Sequence, residues 1–262
     1  MKIAIIGGGN LGGSIAQGLV SSGFCKPSAI SITRRNVQQL KALQEQGCQV
    51  LSDNKKAVQQ SDIIILAVKP YNYNEVLAGF KSVLNAKKHV LVSVITGVWT
   101  EQLQKAIGKP VPVIRAMPNT AIAIQQSMTC LSNAGADAKQ LNYVQQLFDQ
   151  LGRTAVIDEK LMDAATVLGA CGTAYALRYI RANIQGGIEI GFDAKIASLI
   201  AAQTVLGAAD LLLKTGNHPE HEIDKVTTPK GCTIVGLNEM EHQGFSSSLI
   251  RGIITSYEKI GK

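Results

Sequence analysis

Residues 2–12 of the chain read KIAIIGGGNLG, a short apolar run that leads directly into a glycine-rich turn. Gly7, Gly9 and Gly12 have the spacing GxGxxG. An apolar strand precedes the motif and an amphipathic helix pattern follows it, which is the context in which such glycines bind a dinucleotide. The first glycine permits a tight turn, the second lets the backbone approach a pyrophosphate, and the third lets helix and strand pack closely.

The start of the helix after this turn is predicted to hold the phosphates. Its first N–H groups have no partner within the helix and lie at the positive end of the helix dipole, so they attract an anion. We expect cofactor contacts from Gly7, Gly9, Asn10, Leu11 and Gly12.

The end of the second apolar run indicates which nucleotide is bound. Proteins that bind NAD usually have Asp or Glu about 20 residues beyond the turn, where it accepts hydrogen bonds from the ribose 2′-hydroxyl. Here residues 32–36 read ITRRN and contain no acid. Guanidinium groups suit a 2′-phosphate because they keep their charge and present a fixed fork of donors. We predict that NADP(H) is preferred over NAD(H) and contacts Thr33, Arg34 and Arg35.

The alternation of patterns along the chain indicates the fold class. Short apolar runs alternate with helical segments up to about residue 157, which predicts a parallel sheet covered on both faces. From about Glu159 the apolar runs give way to long segments with helical spacing. We predict an α/β fold with an N-terminal Rossmann-type doubly wound sheet, residues 1–158, and a C-terminal all-helical domain, residues 159–262.

Two further strand ends are candidates for the same site. One apolar run ends at residues 67–70, AVKP, and another at residues 115–120, RAMPNT. Proline stops each strand and places Lys69 or Asn119 at its end. Because ligands of open α/β sheets bind beyond the carboxyl ends of the strands, these ends are expected to line a cleft.

Composition narrows the class of partner and the compartment. The formal charge of +7 favours an anionic partner, but no dense run of Lys and Arg interleaved with aromatic residues is present, which argues against nucleic acid. The five cysteines are dispersed, as expected of a protein in a reducing cytosol. Four histidines have no metal-like spacing, so no metal site is expected.

No targeting or membrane segment is expected from the hydropathy pattern. The first apolar run is shorter than the core of a signal peptide. We expect no segment to match a membrane span of about 20 apolar residues, and we therefore predict a soluble cytoplasmic protein. Residues 193–216 are apolar almost all round, which favours burial against a second subunit.

Several longer segments resemble the pyrroline-5-carboxylate reductases, and the resemblance runs nearly end to end. The segments are GGGNLGGSIAQGL at residues 7–19, DN at residues 53–54, VIRAMPNT at residues 113–120 and AAQTVLGAADLLL at residues 201–213. The most specific is HPEHEIDKVTTPKGCTIVGLNEMEHQGF at residues 218–245. The resemblance implies reduction of a cyclic imine acid to L-proline with NAD(P)H. It also implies a helical domain that forms homodimers, which in this family often assemble into rings.

The resemblance also implies roles for single residues. Asn54 is expected at the adenosine end of the cofactor. Around the nicotinamide it implies Ala67, Val68, Lys69, Pro70 and Asn119. The substrate carboxylate is expected to bind backbone N–H groups at a helix start, within a site formed by Thr228, Lys230, Gly231, Cys232 and Thr233. Thr233 is the implied catalytic residue, because its hydroxyl is expected near the imine nitrogen.

The helix start itself can be placed from the local sequence. Thr228-Pro229 has the pattern of an N-cap followed by proline at the first helical position, so a helix is predicted to begin at Pro229. Two departures from the family pattern lie in the helical domain. Lys230 and Cys232 stand where Gly and Thr or Ala are usual, and residues 169–175 read GACGTAY in place of SGSGPAY.

Other functions remain open from the sequence. A β-hydroxyacid dehydrogenase would carry a catalytic lysine, and Ala176 occupies that position after Gly169 and Gly172. Reduction of another cyclic imine acid is a closer alternative. A protein that binds NADPH without catalysis is a third.

Overall fold

The computed structural model describes residues 1–260 of the chain. The fold has two compact units, Met1–Cys171 and Gly172–Lys259. The first contains a mixed sheet with helices on both faces, and the second is helical, which confirms the predicted fold class.

The first unit is built on one eight-stranded sheet. Its strands are β1 Ile3–Ile6, β2 Ile30–Thr33, β3 Gln49–Leu51, β4 Ile63–Leu66, β5 Val90–Ser93, β6 Val113–Met117, β7 Ser127–Ala134 and β8 Gly152–Val156. Their order is β3-β2-β1-β4-β5-β6-β7-β8. The inner strands are apolar along their whole length because both faces of the sheet are covered.

The prediction of a parallel sheet is right for β1 to β6 and wrong for β7 and β8, which run in the opposite direction. Strand β7 pairs antiparallel with β6 and parallel with β8. The chain passes from β6 to β7 through a short 3₁₀ turn, Thr120–Ile124, and a connection without a crossover helix suits antiparallel neighbours. Strand β3 was missed because its three residues include two half-buried positions and one exposed one.

Seven α-helices of the first unit lie along the chain between these strands or after them. They are α1 Asn10–Ser21, α2 Lys41–Glu45, α3 Asn54–Gln59, α4 Tyr73–Phe80, α5 Thr100–Ile107, α6 Ala138–Asp149 and α7 Met162–Ala165. Alternate strand residues point to opposite faces, so two separate cores form. One core contains Ile5 with helix residues Ile15 and Phe148, and the other contains Ile6 with Phe80.

The second unit consists of five helices within the described residues. They are α8 Gly172–Glu189, α9 Ala194–Thr215, α10 Pro219–Val226, α11 Cys232–His242 and α12 Phe245–Ile260. Asp193 caps α9 by accepting from the N–H groups of Lys195 and Ile196. Tyr175 of α8 is hydrogen-bonded to Ser256 of α12 at 2.6 Å.

The compact units divide later than the predicted boundary after Asp158. Residues 159–171 belong to the first unit because Met162 and Val167 are buried there. Between α7 and α8 the chain forms a π-helical segment, Thr166–Cys171. The boundary at residue 158 therefore stays a prediction about where the helical region begins along the chain.

Helix α9 corrects the expectation that no segment matches a membrane span. By length and composition it is long and apolar enough to cross a membrane, with a mean hydropathy of 1.8 over its best window. Only 11% of that window is buried within the single chain. Leu199, Leu206 and Leu213 are more than half exposed. A helix that a second copy covers has the same properties, so the finding is weak evidence for a membrane.

One ion pair in the first unit joins a buried arginine to a half-buried glutamate. Arg115 of β6 is 1% exposed, and its Nη1 lies 3.0 Å from Glu159 Oε1. Glu159 also accepts hydrogen bonds from the N–H and the hydroxyl of Thr100, at the start of α5. Burial acts to raise the pKa of Glu159, but the hydrogen bonds from Thr100 and Arg115 and the Arg115 charge outweigh it and lower the pKa. The charged carboxylate therefore fixes residue 159 against β6 and α5.

Removal of this carboxylate should destabilise the first unit. We expect Glu159→Ala to lower the free energy of unfolding by about 3–5 kcal/mol, because the Arg115 charge is left buried without its partner. Glu45→Ala is the matched control, since the Lys41–Glu45 pair is exposed and contributes about 0–1 kcal/mol. Urea denaturation at one fixed protein concentration measures both. Equal losses would contradict a special role for the buried pair.

Candidate active site

The glycine-rich turn joins β1 to α1 with almost no space around two of its glycines. Gly7 has φ = 110°, and a Cβ added to it would lie 2.4 Å from the carbonyl oxygen of Ala67. A Cβ on Gly12 would lie 2.1 Å from the carbonyl oxygen of Gly7. Both positions therefore require glycine, Gly7 for its backbone conformation and Gly12 for the close packing of α1 on the turn.

The middle of the turn is open. Gly9 is the N-cap residue of α1 and has an extended backbone without a side-chain cap. A Cβ on Gly9 would have no atom within 4 Å. The N–H groups at the start of α1 are consequently accessible from this side, which is what a bound phosphate requires.

The end of β2 holds the turn by three hydrogen bonds. The N–H of Gly7 donates to Thr33 Oγ1 at 3.3 Å, and the N–H of Gly8 donates to the Thr33 carbonyl at 2.6 Å. Nη1 of Arg34 donates to the Gly8 carbonyl at 2.5 Å. The predicted basic edge and the glycine-rich turn therefore form one structure.

A cleft of about 1000 Å³ opens at the carboxyl ends of β1 to β5. Twelve of the fourteen predicted cofactor residues line it. These are Gly7, Gly9, Asn10, Leu11, Thr33, Arg34, Arg35, Asn54, Ala67, Val68, Lys69 and Pro70. Gly12 lies behind the turn, where its role is packing.

Asn119 is not among the residues that line this cleft. Its side-chain oxygen accepts from the N–H of Ala121 at 3.0 Å, and its amide nitrogen donates to the carbonyl of Gly169 at 3.2 Å. Both ends of the amide are thus used within the first unit. The side chain links the end of β6 to the π-helical segment.

Several lining residues were missed from the sequence. Thr96 follows β5, while Ser52 and Asn72 follow β3 and β4. The rule that ligands bind beyond strand ends would have found Thr96, because the run ending at residue 95 is strongly apolar. Glu75, in the first turn of α4, is an acidic group in the lining that no motif indicates.

The second predicted site lies between α10 and α11, in the second unit. The predicted helix start at Pro229 is wrong, because α11 begins at Cys232 with Gly231 as its N-cap. Lys230 has φ = 62°, which is outside the helical region, and the N–H of Gly231 donates to the Thr228 carbonyl at 3.0 Å. Residues 228–231 therefore form a turn before the helix.

This turn leaves the start of α11 uncapped. Gly231 provides no side-chain hydrogen bond, so the N–H groups of Cys232 and Thr233 lack partners from a cap. Lys230 is exposed and Thr233 is half-buried. The structure thus brings the five predicted substrate residues together in one turn and helix start.

No metal site accompanies either group of residues. Within residues 1–260, no three His, Cys, Asp or Glu side chains are grouped as metal ligands.

Comparison with known proteins gives a consistent result for both units. A family model described as pyrroline-5-carboxylate reductase dimerisation matches residues 159–262, and one described as NADP oxidoreductase coenzyme F420-dependent matches residues 2–97. Pyrroline-5-carboxylate reductase 2 of Dictyostelium discoideum is 43% identical over 100% of this chain and 92% of its own length. The chain belongs to the pyrroline-5-carboxylate reductase family.

Two further matches agree with this family. Pyrroline-5-carboxylate reductase 1 of Dictyostelium discoideum is 45% identical over 98% of this chain, which spans about half, 49%, of that relative's length. The solved structure of a pyrroline-5-carboxylate reductase from Coxiella burnetii has a TM-score of 0.94 at 27% identity. It covers 99% of this chain and 97% of that one.

Family membership settles the class of the protein. It is an NAD(P)H-dependent oxidoreductase that acts on a C=N bond, and its helical region is a dimerisation region. The cofactor class predicted from residues 5–36 is confirmed. The reading as a β-hydroxyacid dehydrogenase is not supported.

The two neighbouring glycines of α1 test the packing argument. Gly12→Ala should weaken NADPH binding and destabilise the fold by about 1–3 kcal/mol, because the methyl group overlaps the Gly7 carbonyl. Gly13→Ala is the matched control, since its methyl group meets no atom within 4 Å and should stabilise α1 by roughly 0.5–1 kcal/mol. Thermal unfolding and NADPH titration measure the two effects. Similar behaviour of the two variants would contradict the account.

Lys230 should store backbone strain in the reductase. A non-glycine residue with positive φ costs about 1–2 kcal/mol, so Lys230→Gly is expected to stabilise the protein by roughly 0.5–1 kcal/mol after the larger unfolded-state entropy of glycine. Lys230→Ala keeps the Cβ and should give no such gain. Thermal unfolding at constant protein concentration distinguishes the two variants. If Lys230→Ala stabilises the protein as much as Lys230→Gly, the stabilisation comes from the lost charge and not from relieved strain.

Proposed function

We propose that this chain reduces the C=N bond of 1-pyrroline-5-carboxylate to give L-proline, with NADPH as the preferred reductant. The main support is the cleft at the strand ends, where a glycine-rich turn meets a basic edge, in a chain of the reductase family. This reaction is the last step of proline biosynthesis. The family relation supports the reaction, and the cleft supports the cofactor.

The cleft fits NADP(H) by the chemistry of its lining. The N–H groups at the start of α1 face open space beside Gly9, as a pyrophosphate requires. The edge formed by Thr33, Arg34 and Arg35 has no carboxylate, so it suits a 2′-phosphate better than a ribose 2′-hydroxyl. Asn54 is assigned to the adenosine end and residues 67–70 to the nicotinamide half.

Asn119 is assigned an indirect role near the nicotinamide half. Its side chain holds the carbonyl of Gly169, so it fixes the π-helical segment rather than lining the cleft. Asn119 is therefore proposed as a positioning residue of the site and not as a direct contact of the cofactor.

The substrate carboxylate is assigned to the start of α11. The N–H groups of Cys232 and Thr233, which receive no cap within the described residues, and the positive end of the helix dipole favour an anion there. Thr228 and Gly231 shape the turn through their backbone hydrogen bond, and the exposed Lys230 adds a positive charge. A small imine acid carries the negative charge that this arrangement suits.

The chemistry requires positioning more than a strong acid. When bound, NADPH supplies the hydride that a C=N carbon accepts. The imine is electrophilic when its nitrogen is protonated, so the chain has to hold the protonated form with its N–H directed to an acceptor. The Thr233 hydroxyl is the proposed acceptor, and holding the imine in one orientation is its catalytic contribution.

A homodimer is the expected state of the protein. The dimerisation model covers residues 159–262, and α9 leaves most of its apolar surface uncovered in one chain. We propose that α9 lies in this interface rather than in a membrane, and that dimers associate further into a ring. Sedimentation velocity in the absence of detergent tests both statements, and a monomer or a detergent-dependent species would contradict them.

A cytoplasmic location is proposed as well. All five cysteines, including the buried Cys48, are unpaired, which suits a reducing compartment. Fractionation of the native host cell would test the location, and recovery of the protein with membranes would contradict it.

The oxidation of NADPH with 1-pyrroline-5-carboxylate tests the function, with the six-membered homologue and NADH run in parallel. Fast reduction of the five-membered imine and a lower KM for NADPH than for NADH are expected. Preference for the six-membered imine would indicate that Lys230, Cys232 and residues 169–175 direct the site to another cyclic imine acid. Tight NADPH binding without any turnover would favour a non-catalytic protein.

The role of Thr233 can be tested separately from cofactor binding. Thr233→Ala should lower kcat by about 10²-fold, because the imine is no longer held in one orientation, and leave the Kd of NADPH unchanged. Thr233→Ser retains the hydroxyl and should restore most of the rate. Steady-state kinetics with NADPH titration measure both quantities. Equal loss in the alanine and serine variants would remove the hydroxyl from the mechanism.

A further inference from the structure

The two arginines at the end of β2 differ in burial and in partners. Arg34 is half-buried, its backbone N–H donates to the Leu51 carbonyl at 3.1 Å, and its Nη1 donates to the Gly8 carbonyl at 2.5 Å. Arg35 is exposed, and its side chain has no hydrogen bond or ion pair within residues 1–260. Both line the cleft. Neighbours in sequence thus have different environments.

The peptide unit that Arg34 holds is the one that faces the phosphates. A trans peptide is planar, so the Gly8 carbonyl and the Gly9 N–H point in opposite directions. The hydrogen bond from Arg34 to the Gly8 carbonyl therefore also fixes the direction of the Gly9 N–H. Gly9 lines the cleft, and its N–H has no partner within the described part of the chain.

The surroundings of Gly8 leave this peptide little other support. The N–H of Gly8 donates to the Thr33 carbonyl, and Leu40 closes the opposite side, since a Cβ on Gly8 would lie 2.8 Å from Leu40 Cδ1. Within residues 1–260 the Gly8 carbonyl accepts no backbone hydrogen bond outside the regular elements. The guanidinium of Arg34 is its charged partner, and charge-assisted hydrogen bonds are stronger than neutral ones.

Arg35 has the properties that a phosphate ligand requires. Its five N–H donors have no protein acceptor within residues 1–260, and its exposed side chain lines the cleft. An arginine that is already hydrogen-bonded to a carbonyl has fewer donors in the right direction for a second acceptor.

We propose that Arg34 is a positioning residue that orients the Gly8–Gly9 peptide for the pyrophosphate, whereas Arg35 is the residue that selects NADPH by binding its 2′-phosphate. The proposal rests on the assignment of the cleft to NADP(H). It predicts that Arg34 contributes to the binding of both NADPH and NADH. Arg35 is predicted to contribute only to the binding of NADPH.

Binding measurements on single variants test this difference. The Kd values of NADPH, NADH and adenosine 2′,5′-bisphosphate are measured for the wild type, Arg34→Met, Arg34→Lys and Arg35→Met. Arg153→Met is the matched control, because Arg153 is an exposed residue of β8 that does not line the cleft. Arg34→Lys retains a donor for the Gly8 carbonyl.

Arg34→Met should raise the Kd of NADPH and of NADH by a similar factor, roughly tenfold, with Arg34→Lys between it and the wild type. Arg35→Met should raise the Kd of NADPH and of the bisphosphate by roughly tenfold and change that of NADH by less than about twofold. Arg153→Met should change none of them.

If Arg34→Met loses affinity for NADPH but not for NADH, the proposal is overturned, because Arg34 would then be a 2′-phosphate ligand. Unchanged binding of both cofactors in Arg34→Met would overturn it too. If Arg34→Met fails to fold, the same comparison applies to Arg34→Lys, for which equal, smaller losses are expected. A wild-type protein that binds neither cofactor would instead overturn the assignment of the cleft.

Discussion

The contact between the Gly12 backbone and the Gly7 carbonyl sets the geometry of the cleft. A methyl group at residue 12 would lie 2.1 Å from that carbonyl, so α1 can approach β1 this closely only when residue 12 has no side chain. This approach directs the start of α1 toward the open side of Gly9. The proposed phosphate site therefore depends on the missing side chains of Gly9 and Gly12, and the end of β2 keeps the turn in place through Thr33 and Arg34.

The sheet brings the remaining groups to the same edge. Five parallel strands end along the cleft, so short segments far apart in sequence, such as those containing Asn54 and Lys69, become neighbours. The second unit contains the proposed substrate site, an uncapped helix start preceded by a strained turn at Lys230. Strain of this kind persists where the surrounding structure imposes it, often at functional sites.

Much of the first unit could be predicted from local patterns, and the failures have physical causes. The GxGxxG motif and the apolar runs specified β1, β2, β4 and β5, since both depend on neighbours in sequence. Strand β3 is too short and too exposed to leave a hydrophobic signal. The direction of β7 depends on the connection after β6, and the helix start at Cys232 depends on a positive φ at Lys230, which lysine rarely adopts. Asn119 was assigned to the nicotinamide by resemblance. The hydrogen bonds of its side-chain amide depend on tertiary contacts.

The decisive measurement is the transfer of deuterium to the product from NADPH that carries deuterium in both C4 positions of the nicotinamide. The protein is incubated with the labelled cofactor and 1-pyrroline-5-carboxylate, and the proline formed is analysed by mass spectrometry and NMR. We predict L-proline with one deuterium at C5, the carbon of the former C=N bond. Proline without the label, or no proline in the presence of bound NADPH, would contradict it.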